Sequence, residues 1–171
     1  MKIFLVGMPG SGKTTLGRQL AKAIQVSFID LDKEIEKKEQ KIIPEIFKDH
    51  GESYFREVES QMLQQHALSG EKFVLATGGG APCFHDGIGI INQNGVSVFL
   101  DIPVHEILRR IGLQEGRPLL GSPDLVEREQ RLNTLFDTRQ QFYKQAHITI
   151  ENPTVSEVIE AINRLEKEAE G

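Results

Sequence analysis

Five short runs of apolar, β-branched and aromatic residues punctuate the chain: KIFLV (2–6), VSFID (26–30), KFVLAT (72–77), VSVFL (96–100) and HITI (147–150). Their apolar positions are nearly continuous rather than alternating, which is the pattern of strands covered on both faces in a parallel sheet. Helical stretches lie between them. TTLGRQLAKAI follows the first run with its loop, KEIEKKE the second, and PVHEILRRIG the fourth. PEIFKDHG predicts a helix with Pro44 at its first position and Gly51 as its stop. In YFREVESQMLQQHAL, Phe55, Val58 and Met62 share one face at i, i+3 and i+7. A long helix is predicted over PDLVEREQRLNTLFDTRQQFYKQA, opening at Ser122 with Pro123 at its first position. TVSEVIEAINRLEKEAE opens with a capping box from Thr154 to Glu157. Strands alternating with helices predict an α/β fold, a three-layer α/β/α sandwich around a five-stranded parallel sheet. GLQEGRPLLGSPD (112–124) has no period and is broken by glycines and prolines; it reads as a mobile lid.

Composition narrows this picture. The length of 171 residues suits one domain, 1–171, with a full core. A net charge of −5 argues against a partner bound through a basic surface, so no nucleic acid is expected. The single cysteine, Cys83, permits no intrachain disulfide, fits a reducing compartment and reads as a small, partly buried residue. The opening MKIFLVGMPG has an apolar run too short for a secretory signal or a membrane span. The expectation is therefore a cytoplasmic protein that does not bind membranes. No surplus apolar face stands out, so a monomer is expected.

GMPGSGKT then supplies the first chemistry. It matches G-x-x-x-x-G-K-[ST] at Gly7, Gly12, Lys13 and Thr14, between the first strand and the first helix. A polyphosphate must be approached by bare backbone amides, which glycines allow. The helix that follows offers its N-terminal N–H groups and dipole to anions. Lys13 can reach the outer phosphates, and the Thr14 hydroxyl suits Mg²⁺, a hard cation that prefers oxygen. A dinucleotide fingerprint fails, because Thr15 stands where the third glycine belongs. The loop is read as a nucleoside triphosphate site with Mg²⁺.

Several triphosphate classes drop out. There is no Asn-Lys-x-Asp for guanine, no H-R-D or D-F-G of protein kinases, and the third strand ends in ATGGG without a carboxylate. A small chain with a phosphate loop and a lid suggests a small-molecule kinase. The alternatives left open are a gluconate or nucleotide kinase, or a nucleotide-binding regulator without catalysis. In FIDLD, an extended backbone would send Asp30 and Asp32 to one face at the strand's carboxyl end, one toward a metal's water shell and one toward a hydroxyl. Asp32 also suits a helix N-cap. Arg56, taken alone, reads as a solvated partner for Glu52 or Glu59. The run Gly78–Gly79–Gly80 implies close backbone approach, or amides offered to a ligand.

Taken together, GMPGSGKTTLGRQLA, FIDLD, FREVE, ATGGG, GRPLL and TRQQFY resemble the shikimate kinases in order and spacing, over nearly the whole chain. The resemblance implies a P-loop kinase fold like that of nucleoside-monophosphate kinases, with a substrate-binding region at about 32–60. It implies transfer of the ATP γ-phosphate to the 3-hydroxyl of shikimate, on the route to chorismate and the aromatic amino acids. By that likeness Gly10, Ser11, Gly12, Lys13, Thr14 and Thr15 hold ATP, with Arg110, Asn152 and Pro153 near adenine. Thr14, and Asp30 through water, attend Mg²⁺. Asp32, Arg56, Gly78, Gly79, Gly80 and Arg139 bind shikimate, the two arginines on its carboxylate, with Ile43, Phe47 and Phe55 as apolar walls. Lys13, Asp32 and the lid's Arg117 are the implied catalytic residues.

Overall fold

The computed structural model describes residues 1–112 and 125–171. The predicted lid beyond Gly112, its Arg117, and the predicted helix start at Ser122 and Pro123 lie outside the described residues.

Five strands form one sheet: β1 (Lys2–Val6), β2 (Ser27–Asp30), β3 (Phe73–Ala76), β4 (Val96–Asp101) and β5 (Ile148–Glu151). Their order is β2-β3-β1-β4-β5, and every pairing is parallel. The five predicted runs thus hold to within a residue or two. Ile3 to Val6, all of β3 and Val98 to Leu100 are buried, which is why their apolar positions run on without alternation. The helices are α1 (Lys13–Ala23), α2 (Leu31–Glu39), α3 (Ile43–Ala67), α4 (Gly87–Asn94), α5 (Val104–Gly112), α6 (Leu125–Tyr143) and α7 (Val155–Glu170).

Local chemistry sets the boundaries. Pro44 sits in the first turn of α3, where a missing N–H costs nothing. Gly51 takes φ 81° and ψ 173° and kinks α3 into the two segments that the sequence separates. The capping box of α7 is present, with Thr154 Oγ1 accepting from Glu157 N–H and Glu157 accepting from Thr154 N–H. Two elements escape the sequence pattern: a 3₁₀ turn at Ala81–Cys83, and α4, whose GIGIINQN carries two helix-breaking glycines. Tertiary packing forms α4 regardless, burying Ile88 and Ile91.

β1 is the central strand. From it the chain leaves toward β2 at one edge, and from β4 toward β5 at the other. A crevice therefore opens at the carboxyl end of β1, where open α/β sheets bind their ligands. The loop joining β1 to α1 lies at that point.

Candidate active site

The phosphate loop is built by backbone geometry. Gly12 caps α1 at φ 90°, a left-handed conformation that aims the helix N-terminus into the crevice at no side-chain cost. Lys13, the first residue of α1, is buried. Its Nζ donates to Gly7 O at 2.7 Å and Met8 O at 2.9 Å, so the ammonium is held under the loop. Burial pushes its pKa down to about 8, against the opposing pull of Asp32 and Asp30 and with Arg139 adding to the depression. The charge of an incoming anion would offset that desolvation. Ser11 Oγ is buried without a hydrogen-bond partner among the described residues. It is thus a polar atom of this loop with donor capacity to spare.

Thr14 and Asp30, the residues expected to attend Mg²⁺, also meet. Thr14 Oγ1 donates to Asp30 Oδ2 at 3.2 Å, which places a hydroxyl and a carboxylate together at the loop's edge. These are hard oxygen donors and fit Mg²⁺, which is held by few protein groups beside substrate phosphates.

The reading of Asp30 and Asp32 as alternate residues of one strand is corrected. Asp30 ends β2 and is the N-cap of α2, accepting Lys33 N–H at 3.3 Å; Asp32 lies inside the first helical turn and is not the cap. The helix starts early because the Asp30 side chain satisfies an orphan N–H and Leu31 drops into the core. Both carboxylates still act on Lys13. Burial is the chief reason that the Asp32 pKa is raised, with the Asp30 charge adding to it.

Arg56 departs further from the sequence expectation. It is buried at 8% exposure and not a solvated side chain. The partners are those its spacing names, Glu59 at 2.8 Å and Glu52 at 3.4 Å, but Glu59 is itself buried at 2%. The guanidinium also lies over the Phe84 ring, 4.1 Å from its centroid. Burial raises the Glu59 pKa despite the attraction of Arg56. Two charged groups set this deep need a reason beyond stability, since a buried ion pair is at best a weak stabiliser.

The glycine run shows where these groups meet. An ideal Cβ on Gly78 would fall 2.7 Å from Asp32 Oδ1; on Gly79, 3.0 Å from Arg139 Nη1 and 2.8 Å from Pro9; on Gly80, 2.3 Å from Arg56 Nη1. Bare backbone thus lets Asp32, Arg139 and Arg56 converge beside the phosphate loop. The resulting cluster brings together two guanidinium groups and a carboxylate. Its composition suits a small polyhydroxylated anion. Phe47 and Phe55 stack at 4.8 Å between ring centroids, and with Ile43 they pack on the adjoining core.

On the other side of the loop, Ser11, Gly12, Thr15, Arg110, Asn152 and Pro153 line a cleft. Arg110 donates to Ser11 O at 3.2 Å and to Asn152 Oδ1 at 2.7 Å, tying α5, the loop and the β5–α7 turn together. Glu106 accepts from Arg109 and Arg110, which hold its pKa down at about 2. The predicted ATP residues other than Arg117 are therefore contiguous.

Two residues of the site were missed by sequence reasoning. Spacing alone makes Glu59 a surface partner of Arg56, whereas it is buried beside it. Tyr143, fully buried, donates its hydroxyl to Gly79 O at 2.5 Å. Its i, i+4 spacing from Arg139 in TRQQFY places both on one helix face, the signal that could have found it.

A parallel α/β sheet with a G-x-x-x-x-G-K-T loop at the carboxyl end of its central strand defines a P-loop kinase fold. The family model for shikimate kinase matches residues 9–167. The shikimate kinase of Parabacteroides distasonis is 39% identical over 170 residues, covering 97% of this chain and 98% of that one. A crystal structure of shikimate kinase from Bacteroides thetaiotaomicron superposes with a TM-score of 0.86 at 35% identity, covering 100% and 99% of the two chains. The shikimate kinase of Acinetobacter baumannii, solved in complex with shikimate, gives 0.84 at 37% identity, covering 98% and 93%. The chain belongs to the shikimate kinase family.

Proposed function

We propose that this chain performs the reaction of its family with the residues assembled above: phosphorylation of the shikimate 3-hydroxyl by ATP, giving shikimate 3-phosphate and ADP, on the route to chorismate. The observation that carries the reading is the convergence of Asp32, Arg56 and Arg139 on the bare run Gly78–Gly80, next to the loop that holds Lys13.

Gly10 to Thr15 cradle the triphosphate, and Arg110, Asn152 and Pro153 flank the base. Thr14, and Asp30 through water, would hold Mg²⁺, which when bound would neutralise phosphate charge. Lys13 gives a fixed positive charge to the outer phosphates. Arg56 and Arg139 fork onto the shikimate carboxylate, and the run Gly78, Gly79 and Gly80 lets those side chains approach and offers an amide to the substrate. Asp32 faces the hydroxyl and accepts its proton as the oxygen bonds to phosphorus and the bond to ADP breaks. The 32–60 region binds the substrate within one domain, 1–171, where Arg117 supplies a further cation to the moving phosphoryl group and the 112–124 lid excludes water. These two assignments rest on the resemblance, since that segment lies outside the described residues.

Among the described residues no helix is long and apolar enough to cross a membrane. A monomer working in the cytoplasm without nucleic-acid partners completes the reading.

The test is phosphoryl transfer itself. With ATP and Mg²⁺, ADP release should depend on shikimate and not on gluconate or nucleotides. Arg56→Ala and Arg139→Ala should raise the KM for shikimate and leave that for ATP. Turnover with gluconate instead, or arginine variants that only melt earlier, would sink the reading.

A further inference from the structure

Tyr143 has no part in the chemistry just assigned, yet it is one of the largest fully buried side chains in the molecule. It ends α6, one turn after Arg139. Its ring packs on Phe99 of β4, with centroids 5.2 Å apart, which sets the ring's position from the core side. Its hydroxyl donates to Gly79 O at 2.5 Å across 64 residues of sequence. The same Gly79 lies against Arg139 Nη1 and against Pro9 of the phosphate loop.

A packed core needs only an aromatic ring at this position, as phenylalanine would provide. A phenol buried here carries a polar group whose desolvation must be offset by a well-placed partner. The hydroxyl bond therefore fixes something that packing alone leaves free. Residues without side chains can rotate their peptide planes at little cost; turn bonds from Ala81 N–H and Cys83 N–H hold the Gly78 and Gly80 carbonyls, and beside the tyrosine the Gly79 carbonyl has only the weak Cys83 thiol donor at 4.0 Å. The peptide is planar and trans, so holding the Gly79 carbonyl toward Tyr143 also aims the Gly80 N–H the opposite way. The same bond fixes the register of α6, and with it Arg139, against the glycine run.

We infer that Tyr143 is a positioning residue for the anionic substrate: its hydroxyl locks the Gly79–Gly80 peptide and sets Arg139 against it. The inference rests on the assignment of Arg139 and the glycine run to the shikimate carboxylate pocket. Tyr143 touches neither substrate in this account and acts through those groups. Burial raises the pKa of its hydroxyl, with Arg139 opposing, so it stays protonated and a donor throughout the neutral range.

The test is Tyr143→Phe, which keeps the ring on Phe99 and removes one oxygen. The KM for shikimate should rise about tenfold, equivalent to about 1.4 kcal/mol, while the KM for ATP stays within about twofold of wild type. A shikimate KM unchanged, or both KM values rising together with a fall in melting temperature, would make Tyr143 a core residue and nothing more. Should that variant fail to fold, 3-fluorotyrosine introduced into a Tyr54→Phe background leaves Tyr143 as the one tyrosine of the chain. Its fluorine resonance should move on adding shikimate, and an unmoved resonance at saturation overturns the inference. If the wild type itself binds no shikimate by calorimetry, the pocket assignment fails and this inference with it. If the wild type binds and Tyr143→Phe is indifferent, only the positioning role fails.

Discussion

Gly80→Ala adds one methyl group and isolates the role of Arg56. The Gly80 backbone, at φ −94° and ψ −14°, accepts any residue, so no strain arises from the main chain. The new Cβ would stand 2.3 Å from Arg56 Nη1 and 2.7 Å from Cζ and Nη2, where ordinary contact begins at 3.4 Å. The guanidinium must therefore retreat by about 1 Å, the difference between these contact distances. It cannot do so freely, because Glu59 holds it at 2.8 Å, Glu52 at 3.4 Å and the Phe84 ring at 4.1 Å. Overpacking of this kind costs about 1–3 kcal/mol, which for a chain of this length lowers the melting midpoint by several degrees. The functional cost is of similar size. A displacement of about 1 Å in a positioning group can cost about 10²-fold, so kcat/KM for shikimate should fall by about two orders of magnitude. The KM for ATP should hold, since Arg56 does not line the cleft formed by Ser11, Gly12, Arg110 and Asn152. The assay is coupled ADP release with shikimate titrated at saturating ATP, alongside thermal melting. A variant that melts early yet handles shikimate as the wild type does would refute the claim that Arg56 is poised against Gly80 for the substrate.

Two pH experiments test the buried charges. Lys13 has its pKa pushed down to about 8 from 10.5, so between those values the unfolded chain binds more protons than the folded one. Stability of the nucleotide-free protein should therefore gain a rising contribution across pH 8 to 10.5, and Lys13→Met should flatten it while abolishing turnover; parallel melting curves for the two proteins would show the ammonium is not desolvated. Asp32 has its pKa raised above 3.8, chiefly by burial. Loss of its carboxylate charge should place the acid limb of kcat/KM for shikimate above pH 3.8, and a limb at or below that value would point to a different group.

The phosphate loop was legible because its physics is local. A loop that wraps phosphates with its own amides needs glycine, lysine and a hydroxyl at fixed spacing, and the strand before it and helix after it are read from nearest neighbours. The five strands were legible for a related reason, since burial on both faces leaves continuous apolar runs. Pro44, Gly51 and the Thr154–Glu157 box likewise mark helix ends through contacts within a few residues. The family's motifs added the substrate residues, but as a likeness carried across positions.

What the sequence could not decide was depth and direction. Arg56 and Glu59 look like a helix-surface pair, and three residues of spacing say nothing of whether that face meets water or the 3₁₀ turn after Gly80. Alternation placed Asp30 and Asp32 together on a strand, whereas the Asp30 cap turned the chain into a helix one residue later. α4 formed against its glycines because burial of Ile88 and Ile91 outweighs propensity. Tyr143 meets Gly79 only after α6 has docked beside β4. Burial, and the pairing of groups some 60 residues apart, depend on how elements stack, and stacking is a property of the whole chain and not of any stretch of it.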